Sequence, residues 1–359
     1  MRYLLHFMRD LPEPPNTQAL PPDAVDPLSD LLALLRARCL LTASLETAGD
    51  WAMRFAAYEP GTLKFSALVR GRCWLRVEPG SGGSGDKAMA PIELHAGDCV
   101  LLNGPPGYVL ASDLALPPVD AGPVFAAAPD RRARYGQSVS ESESGSGPSR
   151  YATQLIGGSV RFDESCAGLL LDSLPPVVVV QRGSDAATVV QWLLQQLAHE
   201  MQRPQVGTAS VTTHLAHLLF VQVLRAHLAS NGSDGIGAGG PGGWLGAAAH
   251  PRIGTALGLM HGQPARRWTL DALADAARMS RSSFSERFKA MVGRAPMDYL
   301  LHWRMQLALR ALRERGDAVS TVAFDAGYES ESAFSNAFKR VMGQSPAHYR
   351  REWRARAAT

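Results

Sequence analysis

Two sixteen-residue stretches, FSERFKAMVGRAPMDY at 284–299 and FSNAFKRVMGQSPAHY at 334–349, repeat each other at an offset of 50. They share F-S-x-x-F-K-x-x-x-G-x-x-P-x-x-Y, seven matched positions without a gap, so two copies of one supersecondary unit are the simplest reading. Phe284/Phe288 and Phe334/Phe338 stand at i, i+4, and Met291, Val292, Val341 and Met342 continue the same stripe, which assigns these side chains to cores. The opposite face carries Arg281, Ser282, Ser285, Glu286 and Lys289 in the first copy and Glu331, Ser332, Ser335, Asn336 and Lys339 in the second. Short hydroxyl, amide and carboxylate groups on one helix face match the donors and acceptors of base edges in a major groove, and cations beside them match phosphates. The pattern points to recognition by hydrogen bonding, and no catalytic residue is assigned.

The elements around these faces can be read as well. TLDALADAARMSRSS precedes the first copy, with Thr269 as N-cap and Leu270, Leu273, Ala274 and Ala277 facing inward. STVAFDAGYESESA precedes the second, with Ser320 as N-cap and Val322, Ala323 and Ala326 inward. Helix, short turn, helix is the helix-turn-helix arrangement. Ala274 and Ala323 are small enough for a close helix crossing, and Gly327 fits a left-handed residue that ends its helix. Between the copies, 296–314 reads as one long helix with Tyr299, Leu300, Trp303, Leu307 and Leu312 inward and an arginine row of Arg304, Arg310 and Arg313. Successive major-groove faces lie about 34 Å apart along a duplex, which a rigid connecting helix can match. Trp303 and Trp353 are read as packing residues.

The charge follows the same division. The 359 residues carry a formal +3, but from residue 251 onward 18 Lys/Arg stand against 10 Asp/Glu, a net +8. The first 250 residues hold 18 against 23, a net −5. A basic end on an acidic body suggests that one domain meets a polyanion. The chain is 46% hydrophobic with mean hydropathy −0.08, and its length suggests about two domains. No apolar run reaches the 18 residues of a membrane helix. The apolar core at 1–9 is too short for a signal peptide, and Cys39, Cys73, Cys99 and Cys166 lack zinc-type spacing, so a reducing cytoplasm is expected.

Ahead of the basic end, 1–25 is a Pro-rich flexible leader and DPLSDLLALLRA a helix capped by Asp26 with Pro27 at its first position. FSALVRGRCWLRV reads as a hairpin turning at Arg70 and Gly71, and PIELHAGDCVLL as two strands around Ala96, Gly97 and Asp98. TQLIGGSVRF and PPVVVVQ are further strands, and such spacing suggests a small barrel or sandwich. The Ser/Glu/Gly-rich stretch at about 117–149 reads as a disordered insertion, 184–229 as two helices, and 230–249 as a Gly-rich linker.

Residues 251–351 resemble the AraC/XylS family of transcriptional regulators. Val322, Ala323, Gly327, Tyr328, Ser330, Ser332, Phe334, Phe338, Lys339, Gly343, Pro346, Tyr349 and Arg350 carry that family's signature almost whole. By position in the motif, the resemblance implies that Ser282, Ser285 and Glu286, and then Ser332, Ser335 and Asn336, read bases. Glu286 departs from the arginine or glutamine common there; it either accepts from cytosine N4 or is solvated. Residues 26–110, with LSDLLALLR, FSALVRGRCWLRV and ELHAGDCVLL, are similar to the cupin-type effector domain of one AraC subgroup, which senses a small molecule or a chemical stress.

The expected fold is α+β. A cupin-like β-barrel at 26–183 is followed by dimerisation helices at 184–229 and the linker. An all-α domain of two helix-turn-helix units follows at 250–359. The expected partners are double-stranded DNA, a second copy of the chain, a small-molecule effector and, for an activator, RNA polymerase; no membrane and no cofactor is implied. The alternative is a cupin metalloenzyme with an appended DNA-binding domain. Against it, FSALVRG has Ser66 and no H-x-H, PPGYVL has no histidine, and His95 stands alone, so no metal ligand is assigned. His214 and His217, an i, i+3 pair, read as helix surface or subunit contact rather than metal ligands. Cys73 and Cys99 read as buried small hydrophobes rather than redox sensors.

Overall fold

The computed structural model describes residues 26–59, 61–79, 89–104, 107–128, 132–136, 152–162, 167–183, 185–230 and 243–357. The expected leader, residues 137–149 of the insertion, residues 231–242 of the linker and Cys166 lie outside them. The first element, α1 (Pro27–Leu35), begins as its sequence dictates: the Asp26 carboxylate accepts from the Leu28 N–H, Pro27 occupies the first turn, and Leu31, Leu32 and Leu35 are buried.

Eleven strands follow among the described residues: β1 (Arg38–Thr47), β2 (Ala52–Phe55), β3 (Thr62–Arg70), β4 (Arg72–Val77), β5 (Ile92–His95), β6 (Cys99–Asn103), β7 (Tyr108–Ala111), β8 (Val119–Asp120), β9 (Arg132–Tyr135), β10 (Thr153–Arg161) and β11 (Val177–Val180). They form one sheet ordered β11-β6-β3-β10-β1-β9 and another ordered β5-β4-β7-β2-β8. The sheets enclose Leu45, Trp51, Met53, Leu68, Leu75, Val100, Tyr108 and Leu110, all buried. Cys99 and Leu101 of β6 face the helices while Val100 and Leu102 face this interior, and β11 alternates in the same way. Both faces of these strands are covered, which explains why CVLL and VVVV read as unbroken apolar runs.

Three expectations need correcting. β3 and β4 do not form a hairpin: β3 pairs with β6 and β10, β4 with β5 and β7. The chain instead crosses between sheets at Gly71, whose φ is +86 and whose added Cβ would lie 2.5 Å from the Ala152 carbonyl oxygen. A strand–turn–strand pattern fits a hairpin and a corner equally, because alternation does not name the partner strand. Secondly, the insertion is ordered in part. It contributes β8, the short helix α2 (Ala121–Ala126) and β9, which pairs parallel to β1 and buries Ala133. An edge strand needs only one or two inward side chains, so polar composition does not forbid it. Thirdly, the Gly-rich linker ends earlier than 249, because α6 (Gly243–Ala249) is a helix with Trp244 buried.

The remaining helices are α3 (Ala167–Leu171), α4 (Asp185–Gln202), α5 (Thr208–Ser230), α7 (Pro251–Gly262), α8 (Leu270–Ala276), α9 (Arg281–Val292), α10 (Pro296–Glu314), α11 (Val319–Asp325), α12 (Glu331–Met342) and α13 (Pro346–Ala357). A continuous apolar cluster runs from α1 and the outer face of the six-stranded sheet through α4 to α9 and into Tyr299, Leu300 and Trp303 of α10. Met305, Ala308, Leu309 and Leu312 of α10 instead join Val322, Ala323, Phe334 and Phe338 in a separate core. The first helix-turn-helix unit thus shares its core with the barrel domain, and the second keeps its own.

Candidate nucleic-acid interface

Each recognition helix is set by the same local signals. Ser280 caps α9 by accepting from the Ser283 N–H at 3.3 Å, and Ser330 caps α12 by accepting from the Ala333 N–H at 3.2 Å. Gly293 and Gly343 end the two helices in the left-handed region, each donating to the carbonyl of Lys289 or Lys339. Phe284, Phe288, Phe334 and Phe338 are fully buried, each worth about 1.5–3 kcal/mol of hydrophobic transfer. The burial of the first ten residues is position for position the same in both helices.

The face expected to be polar is accordingly the outward one. Arg281, Ser282, Glu286 and Lys289 on α9 are exposed with Ser285 half-buried, and Glu331, Ser332, Asn336 and Lys339 on α12 are exposed with Ser335 half-buried. Arg281 has an ion-pair partner in Asp271 at 3.6 Å. Glu331 lies in the first turn of α12, where the helix dipole already favours a carboxylate.

The first helix of each unit repeats less regularly. Thr269 caps α8 by accepting from the Ala272 N–H at 3.1 Å. Ser320 is not the cap of α11: that position is Ala318, which makes no side-chain capping bond, and Ser320 sits in the first turn. The first helices are related by an offset of 49 and the recognition helices by 50, so the turn of the second unit is one residue longer. Gly327 is left-handed as expected, at φ +82, but the left-handed residue in the first unit is Arg278, at φ 53. Arg278 and Arg340 are exposed and have no ion pair among the described residues; both border the polar faces and neither stood out in the sequence. The signal for Arg340 was its adjacency to Lys339, whereas Arg278 becomes visible only through its backbone conformation.

Contacts between the units fix one against the other. Arg304 donates to the Pro264 carbonyl at 2.6 Å and to the Arg266 carbonyl at 2.8 Å. Gly327 lies against the Ala265 backbone, and Arg267 pairs with Glu329. Of the arginine row of α10, Arg304 and Arg313 therefore face protein, Arg313 bonding Tyr349 and lying 4.3 Å over the Trp353 ring, whereas Arg310 is exposed and pairs with Glu314 on the same helix. Trp303 is buried and Trp353 is half-buried under Arg313, so both pack against protein.

The junction with the barrel domain is polar at its centre. His261 of α7 is buried and stacked on Trp303 at 3.6 Å, with Nε2 2.8 Å from the Tyr299 hydroxyl, which also accepts from the Trp244 indole N–H at 2.8 Å. Its Nδ1 stands 3.5 Å from the Asp30 carboxylate of α1. Burial pulls the His261 pKa below the ordinary histidine range, with Asp30 opposing. Arg36, just beyond α1, pairs with Glu314 at the end of α10.

In the barrel domain, His95 stands 3.8 Å from Glu93, and Ser66 is buried on β3. Among the described residues no three His, Cys, Asp or Glu side chains come together. Cys39, Cys73 and Cys99 are buried free thiols whose pKa values burial pushes up to about 12, far from the thiolate of a reactive cysteine. His214 lies on the α5 surface, and His217 stands 3.7 Å from the Cys39 sulfur. No described helix is long and apolar enough to cross a membrane.

A barrel domain followed by two joined helix-turn-helix units, each presenting one polar helix face, defines a DNA-binding regulator. Residues 26–229 match the cupin family and residues 273–352 the helix-turn-helix domain family. An AraC-like transcription regulator of Streptomyces antibioticus is 42% identical over 304 residues, covering 85% of this chain and 91% of that relative. The transcriptional regulator AlkR of Acinetobacter baylyi is 33% identical over 162 residues, 44% of this chain and 50% of that one. The crystal structure of the DNA-binding domain of AdpA, a global transcriptional factor, with a target DNA is 34% identical at a TM-score of 0.28, covering 28% of this chain and 91% of that one. This chain belongs to the AraC-like transcription regulators, with a cupin domain ahead of its helix-turn-helix domain.

Proposed function

We propose that α9 and α12 enter successive major-groove faces of an operator. Ser282, Ser285 and Glu286, and then Ser332, Ser335 and Asn336, meet base edges, with Arg281 and Glu331 at the leading end of each face. Lys289 and Lys339, joined by Arg278 and Arg340, meet phosphates. The observation that carries this reading is the matched exposure of two helices fifty residues apart, each with its opposite face locked into a core by paired phenylalanines. Asn336 suits adenine, and the serines suit either partner of a base pair.

The cupin domain is the sensor in this reading, and a small-molecule or stress signal there changes how DNA-binding units are presented. Exposed apolar side chains on α4 and α5, namely Val189, Trp192, Val211 and Leu218, are the face for a second copy. The protein acts in the cytoplasm, beside the chromosome, and meets RNA polymerase if it activates.

The test is binding to an operator recovered from co-purified genomic DNA, compared with random DNA of equal length. Ser332→Ala and Asn336→Ala should weaken operator binding by about 1–3 kcal/mol each and leave random-sequence binding nearly unchanged. Equal loss on both would refute base reading by α12.

A further inference from the structure

A cavity of about 480 Å³ opens at the junction between the barrel domain and the first helix-turn-helix unit. Its volume is that of a small-molecule site. Leu169 of α3, Trp244 of α6, Met291 at the end of α9 and Trp303 of α10 form its apolar wall. Trp303 is buried and its indole N–H has no acceptor among the described residues, an unusual state for a buried donor. Asp172 and Arg294 sit on the exposed rim. Their charges are not equivalent. Arg294 is occupied, 3.7 Å from the Asp298 carboxylate and 3.0 Å from His302 Nε2. Asp172 pairs with no cation among the described residues, so the rim carries an excess of negative charge.

We propose that this junction cavity binds a flat aromatic organic cation, its ring system against Trp244, Met291 and Trp303 and its charge at Asp172. An anionic ligand is disfavoured because Arg294, the cation among the described rim residues, already faces the Asp298 carboxylate. The site lies apart from the barrel interior, which Trp51, Met53, Tyr108 and their neighbours occupy. Two mechanical links run from it. Met291 belongs to the last turn of α9, and Trp303 is the ring on which His261 stacks opposite Asp30 of α1, so an occupant touches both the reading helix and the domain contact. That this molecule acts as an effector rests on the regulator reading above; the site itself does not.

The experiment titrates the full-length protein into rhodamine 6G, a xanthene cation, and separately into fluorescein, a xanthene anion, following fluorescence anisotropy without DNA. Saturable one-to-one binding of rhodamine 6G, at least tenfold weaker for fluorescein, is expected. Asp172→Asn, an exposed substitution, should weaken rhodamine 6G binding about tenfold, and Leu169→Trp, which fills the wall, should abolish it. No saturable binding, equal binding of the two dyes, or an unchanged affinity in Asp172→Asn would each overturn the proposal. Operator binding measured on the same preparations reports separately on the regulator reading: its loss with dye binding intact would refute that reading and leave the site standing.

Discussion

Replacing Gly327 by alanine tests whether the two helix-turn-helix units are held together by the close approach of their backbones. The residue has φ +82, and an added Cβ would lie 2.5 Å from the Ala265 carbonyl oxygen and 2.8 Å from its Cα. Holding alanine in the left-handed region costs about 1–2 kcal/mol. Displacing a backbone segment to admit a methyl group costs roughly 1–3 kcal/mol more. That segment carries the carbonyls bound by Arg304 and the guanidinium paired with Glu329, so it is not free to move alone. The control is Gly343→Ala, at φ +78 with nothing within 4 Å of the added Cβ, where only the conformational cost applies. Both substitutions stiffen the unfolded chain equally, so that contribution cancels in the comparison. Thermal unfolding followed by circular dichroism should place Gly327→Ala several degrees below Gly343→Ala, since each kcal/mol moves the midpoint by roughly 2–8 °C in domains of this size. Footprinting on the operator should show Gly327→Ala losing protection over one half of the site while Gly343→Ala keeps both. Equal midpoints for the two variants would refute the claim that contact with Ala265 positions the second unit.

Two further outcomes follow from the same structure. Burial lowers the pKa of His261, and burial also lowers those of His250 and His227. The unfolded chain then binds more protons than the folded one as pH falls below about 6.5. Stability should be fully present above that value and lost below it, and His261→Gln should flatten the dependence of the melting midpoint between pH 5 and 7. An unchanged slope in that variant would remove His261 from the account. Trp192 is 47% exposed on α4, so Trp192→Glu should change the stability of an isolated chain by less than about 0.5 kcal/mol. The same substitution should convert a dimer to a monomer in analytical ultracentrifugation; a parent protein that is itself monomeric would dismiss the proposed dimer face.

Much of the DNA-binding half is legible in the sequence because its signals are local. A serine cap, phenylalanines at i, i+4 and a terminal glycine act within one helix, so α9 and α12 begin and end where those residues say. Pro296 and Glu314 likewise bound α10 as read. Readings failed where the deciding partner was remote. Ser320 reads as a cap because it is a hydroxyl residue just ahead of Val322 and Ala323, whereas the first helices are related by an offset of 49, so Ala318 takes the place of Thr269 and Ser320 falls in the first turn. Which side of α4 turns to the sheet is likewise decided remotely: Val190, Leu193, Leu194 and Leu197 are buried against it while Trp192 and Val189 stand exposed.

By itself, then, the sequence determined which residues face outward on two helices and that those faces are polar, since helical period and hydrophobic transfer act over a few residues. Which strands pair across Gly71, how the barrel domain joins the first unit through Asp30, His261 and Trp303, and where a cavity opens beside Asp172 were decided only by the tertiary structure. These depend on residues from about twenty to more than two hundred positions apart meeting at one place, and no local propensity encodes that meeting.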